Sequence, residues 1–409
     1  MKNFRIPNTR LVAILPVLLV GAVSSFFLVR MAMERNRKIV MTVQESGADS
    51  VERTGNASQS GVPPKKVTGL LGEEIGHAPP APSMDRMKKQ GCIADGLLNG
   101  DFPGDGKTVE LINRSDCYYL HRAVETWLAP PDFKKIDENL KDLRDGFVIG
   151  MFLAEAIDTK ANYEYPFEGR DFNFKKMCRP GSENFWGEHT CKPSLQSQEY
   201  RTYLRFITRR AMDRGVQVFM FGQVYLQDAN DLSKSPVNDV IAEMREYAAY
   251  HDMKILVGAQ TNDIADPVYL SKFDFIEGGV GLSADGTVEN GPCFSRWWKK
   301  EGDWCWGLLW NERFAKKAKN VLVHYDWSGK IGDDMSVFAR MNEVDRHTTT
   351  ARLHSYFNSK GVGFLVPFLA RLNVNNGGCV GPAKRYYTPD DRYSCNDEDA
   401  WNAILTGSP

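Results

Sequence analysis

The sequence predicts an α/β fold, a (β/α)8 barrel or a degenerate barrel, and three observations carry that expectation. Five apolar runs in the second half of the chain break off at short polar clusters: Phe147 to Asp158, Val216 to Asp228, Lys254 to Asp263, Phe273 to Gly281 and Val321 to Gly329. Runs without strict alternation suit strands buried on both faces, the habit of parallel sheets. Amphipathic helix patterns separate several of the runs, as parallel crossovers require. No GxGxxG turn follows the first run, so a doubly wound sheet ranks second.

At 409 residues the chain has room for one large domain with a tail, or for two domains. A hydrophobic share of 42%, a charged share of 25% and a net charge of -1 are ordinary for a globular protein. That balance gives a nucleic acid no basic surface to bind, and no such partner is expected.

Residues 1–38 read as a cytoplasmic tail and a signal anchor. Leu11 to Val29 carries no charge and is close to the roughly 20 residues a helix needs to cross a bilayer. A cleavable signal peptide is the alternative, with a small-residue site near Ala22-Val23-Ser24. The apolar run continues past that site through Phe26, Phe27 and Leu28, which favours the anchor. Basic residues flank both sides (Lys2, Arg5, Arg10; Arg30, Arg35, Arg37, Lys38), so charge alone does not orient it. Residues 39–90, rich in Gly, Ser, Pro and charge, read as a disordered linker.

Residues 91–409 read as the folded head. All eight cysteines follow the apolar segment, in sequence-local couples: Cys92 with Cys117, Cys178 with Cys191, Cys293 with Cys305, Cys379 with Cys395. An even count behind an export signal points to disulfides and to a periplasmic, extracellular or lumenal head. His121 to Trp127 and Phe133 to Leu143 read as helical. Beyond the first strand come a helix with Tyr200, Tyr203, Leu204, Ile207 and Ala211 on one face, and a second near Val237 to His251. Later helices are expected near Leu309 to Lys319 and Met335 to Asn358, and a last strand at Gly363 to Leu372. Six strands are clear, and two more must hide elsewhere for eight.

The chemistry is expected where the strands end, because a barrel gathers those residues at one mouth. Cleaving a glycosidic bond needs a proton donor and a second carboxylate. Glu277 ends an apolar run and precedes Gly278-Gly279, and Asp326 lies between Tyr325 and Trp327, where aromatic neighbours favour a raised pKa. These two are the expected acid and nucleophile or base, with Glu155 assisting. Asp158, Asp228 and Asp263 stand where caps and turns form, and a structural role competes for each. Gln223 and Gln260 hold strand-end positions where amides suit sugar hydroxyls. Tyr225, Asp263, Trp297, Trp327 and Arg371 complete the expected substrate-binding set. A structural reading sets Arg371 as an ion-pair partner of Glu155, the loop tryptophans as core, and His324 as a hydrogen-bonded core residue. Neither a cofactor nor a metal is expected, because no CxxC and no clustered histidines occur. Asp333-Asp334 reads as a helix cap.

In this plan, from about Asp145 to Leu372, the chain resembles the TIM-barrel glycoside hydrolases. The resemblance implies a carbohydrate substrate, and no family residue is carried over, since no Asn-Glu pair closes a middle strand and the last strand offers Arg371 instead of a glutamate. The expected protein is thus a membrane-anchored, extracytoplasmic enzyme acting on a poly- or oligosaccharide. Two rivals compete. A type II membrane glycosyltransferase shares the tail, anchor and stem but needs an Asp-x-Asp at a strand end, and none of the five ends has one. A non-catalytic glycan-binding barrel needs only the aromatic residues.

Overall fold

The computed structural model describes residues 67–407 except 77, 103–105, 230, 262–263, 265, 284, 289–317, 328–332, 373–375 and 383. All described residues lie in the unit Lys65–Pro409. Eight strands make the barrel: β1 (Gly91–Ala94), β2 (Tyr119–Val124), β3 (Val148–Leu153), β4 (Val216–Phe221), β5 (Leu256–Gln260), β6 (Phe275–Gly279), β7 (Val321–His324) and β8. The last is Gly363–Phe364 continued by Val366–Arg371, and the two parts face different neighbours. Gly363 pairs with Leu322 of β7, and Val366 pairs with Cys92 of β1. Every adjacent pair from β1 round to β8 is parallel, so β8 closes the ring. A closed barrel leaves no strand edge exposed. A ninth strand, Tyr386–Tyr387, adds antiparallel to the end of β8.

The two strands hidden from the sequence are β1 and β2. The helix expected from His121 is instead β2, whose residues are buried apart from Arg122. Two polar residues, His121 and Arg122, interrupt any apolar run in β2, and a φ of 56° at Arg122 breaks its regularity. The linker also ends earlier than expected. Residues from Val67 pair in a short hairpin with Glu74–Ile75, and a helix, α1 (Met84–Gln90), is capped by Ser83. Hydrogen bonds fix this segment to the head: Leu70 N–H donates to Asp213 at 2.9 Å, Ser83 N–H to Tyr118 at 2.9 Å, and Gln217 to Pro80 O at 2.8 Å.

Helix patterns translated directly where one face is apolar. In α2 (Gln198–Met212) the expected face of Tyr200, Tyr203, Leu204, Ile207 and Ala211 is buried, and Ser197 caps the start. In α3 (Val237–Tyr250) Val240, Ile241, Met244 and Ala248 are buried. The long helix expected near Met335 is two: α4 (Asp334–Arg340), capped by Asp333, and α5 (Glu343–Ser359), capped by Asn342. The Asn342 carbonyl amide takes the Asp345 N–H, which starts a new helix where Met341 is extended. Three neighbour couples are disulfides: Cys92–Cys117, Cys178–Cys191 and Cys379–Cys395. The couple Cys293–Cys305 and the helix expected at Leu309 to Lys319 lie outside the described residues or largely so. Among the described residues no helix is long and apolar enough to cross a membrane. The segment Leu11 to Val29 lies outside them.

Candidate active site

Inward residues of non-neighbouring strands meet inside the barrel, toward the carboxyl ends of the strands. Glu277 of β6 reaches His121 of β2 across the lumen, at 3.3 Å between Oε1 and Nε2. His324, which ends β7, places Nε2 3.0 Å from the same oxygen. The three side chains are essentially unexposed. Burial alone would raise the Glu277 carboxyl, but the His121 and His324 rings outweigh it and hold that group well below its ordinary value. The opposite Nδ1 atoms are also engaged, His121 with the Tyr119 hydroxyl at 3.0 Å and His324 with the Tyr325 carbonyl at 3.0 Å. His324 is therefore a buried, hydrogen-bonded residue as expected, but not an isolated one. The histidines absent as a sequence cluster do cluster in space, and with Glu277 they place three potential ligand atoms within 4.8 Å of one another.

A chain of amides joins this cluster to Glu155. The Tyr225 hydroxyl donates to Gln223 Oε1 at 3.0 Å, which turns the Gln223 amino group onto Glu155 Oε1 at 2.6 Å. The Gln223 N–H donates to Gln260 Oε1 at 3.3 Å, and the Gln260 amino group faces Glu277 Oε1 at 3.4 Å. Four consecutive strand ends, β3 to β6, thus contribute Glu155, Gln223, Gln260 and Glu277 in order. Glu155 Oε2 is buried without a hydrogen bond. Burial pushes the Glu155 carboxyl up to about 7, against the smaller opposing pull of its backbone hydrogen bond and Arg122. A Cβ on Gly222 would overlap Glu155 Oε2 and the Phe152 ring, so glycine makes this approach feasible.

Asp326 sits one layer above His324, half-buried. A Cβ on Gly279 would stand 2.5 Å from the Asp326 Cβ, so this glycine clears the space the aspartate occupies. The Asp326 and Gly281 N–H groups both donate to Asp334 Oδ2 at 3.0 Å, and Leu282 N–H donates to Oδ1 at 2.7 Å. Asp334 therefore ties the ends of β6 and β7 together, while Asp333 does the capping, taking Ser336 N–H at 2.8 Å. Trp327 covers the histidines, with ring centroids 4.8 Å from His324 and 6.4 Å from His121. Arg122 lies between the Trp327 ring at 4.7 Å and the Phe152 ring at 3.8 Å.

Arg371 does not pair with Glu155. It is half-exposed, bonded to Asp101 and 3.9 Å from Asp95. Asp95, Arg122 and Glu125 form a buried group beside it that the sequence reading did not single out, with Arg122 3.4 Å from Asp95 and hydrogen-bonded to Glu125. Burial raises the Glu125 carboxyl to about 7, against the Arg122 charge. Asp158 and Asp228 serve turns. Asp158 takes Lys160 N–H at 2.8 Å, and Asp228 accepts from Ala229 N–H at 2.7 Å and the Tyr269 hydroxyl at 2.8 Å. Asp263 and Trp297 lie outside the described residues. His121 was legible only as the middle of Tyr119, His121 and Ala123, a period-two set whose last two members fall in a segment expected to be helical.

No protein-family model and no curated relative matches this sequence. In architecture the chain is similar to solved TIM-barrel glycoside hydrolases. One is a β-L-arabinopyranosidase of Geobacillus stearothermophilus in complex with arabinose, at 9% identity over 80% of this chain and 79% of that one, TM-score 0.37. Another is an α-galactosidase of Saccharomyces cerevisiae, at 11% identity over 80% and 66%, TM-score 0.39. A third is a broad-specificity endoglucanase from an uncultured bacterium, at 10% identity over 81% and 97%, TM-score 0.41. The assignment of the barrel rests on the closed strand pairing described above.

Proposed function

We propose that the barrel mouth is a glycoside-cleaving site in which Glu155 donates the proton and Asp326 is the second carboxylate. The observation that carries this reading is the carboxyl group of Glu155, held at about 7 at a strand end and oriented by Gln223. A general acid must keep its proton near neutral pH and sit where a leaving oxygen can approach. In the step, the glycosidic C–O bond breaks and the Glu155 proton passes to the leaving oxygen. Asp326 either attacks the anomeric carbon or takes a proton from the attacking water. Glu277, engaged by His121, His324 and Gln260, acts from the floor of the mouth as a fixed charge. Gln223, Gln260 and Tyr225 supply hydrogen bonds to sugar hydroxyls, Trp327 an apolar face for a sugar ring, and Arg371 a polar rim at the end of β8. Asp263 and Trp297 belong to the same set by their sequence positions.

The same reading places the head outside the cytosol, held to a membrane by residues 11–29. The three disulfides support an oxidising compartment. The test is to measure reducing-end release from a glycan panel by the wild type, Glu155→Gln and Asp326→Asn. Each variant is expected to lose about 10²- to 10⁴-fold in kcat. Undiminished hydrolysis by both would overturn the mechanism. Glycan binding without any hydrolysis by the wild type would identify a non-catalytic barrel instead, and manganese-dependent binding of a nucleotide sugar a glycosyltransferase.

A further inference from the structure

We infer that His121, Glu277 and His324 form a binding site for a first-row divalent metal ion of the zinc type. The three donors come from β2, β6 and β7, and one ligand atom of each lies within 4.8 Å of the others. Around a tetrahedral zinc ion, with bonds of about 2.0–2.2 Å, neighbouring ligand atoms stand about 3.3 Å apart. Glu277 Oε1 is 3.0 Å from His324 Nε2 and 3.3 Å from His121 Nε2, which is that spacing.

Hydrogen bonding accounts for this cluster incompletely. The Tyr325 carbonyl can only accept, so His324 Nδ1 carries a proton at that 3.0 Å contact. In a neutral ring the His324 Nε2 lone pair then faces a carboxylate oxygen, and a positive charge must lie between them. A proton on Nε2 would satisfy that one contact. It would leave Glu277 Oε2 buried without a hydrogen bond, and His121 Nε2 with only a 3.3 Å contact to the same Glu277 oxygen and no well-formed hydrogen bond. Two under-satisfied groups at one point in a barrel floor are costly. One metal ion engages both imidazoles and the carboxylate together.

The outer contacts suit the same reading. Metal-bound imidazoles use the second ring nitrogen to fix their orientation, commonly through a carbonyl or hydroxyl. Here the Tyr325 carbonyl and the Tyr119 hydroxyl occupy those places. Two histidines and one carboxylate are a donor set for zinc and its neighbours, and unlike calcium or magnesium sites the set is not all oxygen. Three protein ligands leave a fourth position open to water or substrate. The amide of Gln260, 3.4 Å from Glu277 Oε1, orients the carboxylate on one side.

The inference goes beyond the glycoside-cleaving reading and does not depend on it, because the test needs no substrate. Full-length protein would be incubated with zinc, desalted and assayed for bound metal by mass spectrometry. Cobalt would replace zinc for visible absorption. The expected result is about one ion per chain, cobalt bands of a four-coordinate site, and a melting temperature that falls on chelation and recovers with zinc. Glu277→Gln and His324→Gln are expected to lose the ion. Wild-type protein that retains less than about a tenth of an equivalent, with no cobalt bands and no shift on chelation, would overturn the site and leave a shared proton in its place. The wild-type measurement decides even where a variant does not fold.

Discussion

Replacing Glu155 by Gln tests the protonation on which the proposed chemistry depends, without any substrate. The folded protein holds this carboxyl at about 7 against an ordinary 4.5, because burial opposes its charge. Between those two values the folded state keeps a proton that the unfolded chain has lost. Its contribution to stability is therefore complete below about 4.5 and disappears as pH rises through about 7. At about 1.4 kcal/mol for each pH unit, the loss amounts to about 3 kcal/mol. Glutamine keeps the shape and a hydrogen-bonding end but has no proton to lose. Urea unfolding at pH 5, 6, 7 and 8 should show the wild type weakening relative to Glu155→Gln by about 2.5 kcal/mol across the range, the rest of the loss lying below pH 5. Glu125, also raised to about 7, is present in both proteins and cancels in the difference. A difference that stays flat to within about 0.5 kcal/mol would refute the raised carboxyl, and with it the case for Glu155 as an acid near neutral pH.

Two further outcomes follow from contacts away from Glu155. Asp397 is fully buried and accepts from Arg346 at 2.8 Å, Tyr387 at 2.7 Å and His347 at 2.8 Å. Asp397→Ala strands the buried Arg346 charge and should cost about 3–5 kcal/mol in urea unfolding. Gly279→Ala forces Asp326 to move, since the new methyl would stand 2.5 Å from its Cβ. That variant should lose about 1–3 kcal/mol of stability and, in the protein that remains folded, about 100-fold in turnover. Full turnover in folded Gly279→Ala would remove Asp326 from the mechanism.

Legibility in the sequence followed how each residue is surrounded. The apolar runs of β3 to β8 stood out because both faces of each strand are covered, and α2 and α3 because one face is. Phe275 and Gly258 show what lay out of reach: a Cβ on Gly258 would collide with the Phe275 ring, a fit between strands that neither residue announces. Asp158 and Asp228 proved to be turn and cap residues, one of the two roles their positions allowed. Arg371 was placed at the right strand end, but its partner is Asp101, more than 250 residues earlier in the chain. The buried group of Asp95, Arg122 and Glu125 went unread because it assembles from the ends of β1 and β2, the two strands that the pattern did not reveal.

The sequence by itself determined the parallel α/β class, the strand ends as the place where acids and amides gather, and three cysteine couples. Those depend on local pattern, on a period of burial and on loops short enough for neighbours to pair. Tertiary structure decided the surroundings of each acid. Closing the barrel brings His121 of β2 against Glu277 of β6 and His324 of β7, while Glu155 is left beside an amide, with no cation among the described residues bonded to it. Two glutamates that look alike at strand ends thus acquire opposite proton affinities. The reason is physical: a carboxyl's charge state is set by the dielectric and the charges within a few ångströms, and here those neighbours come from strands far apart in the chain.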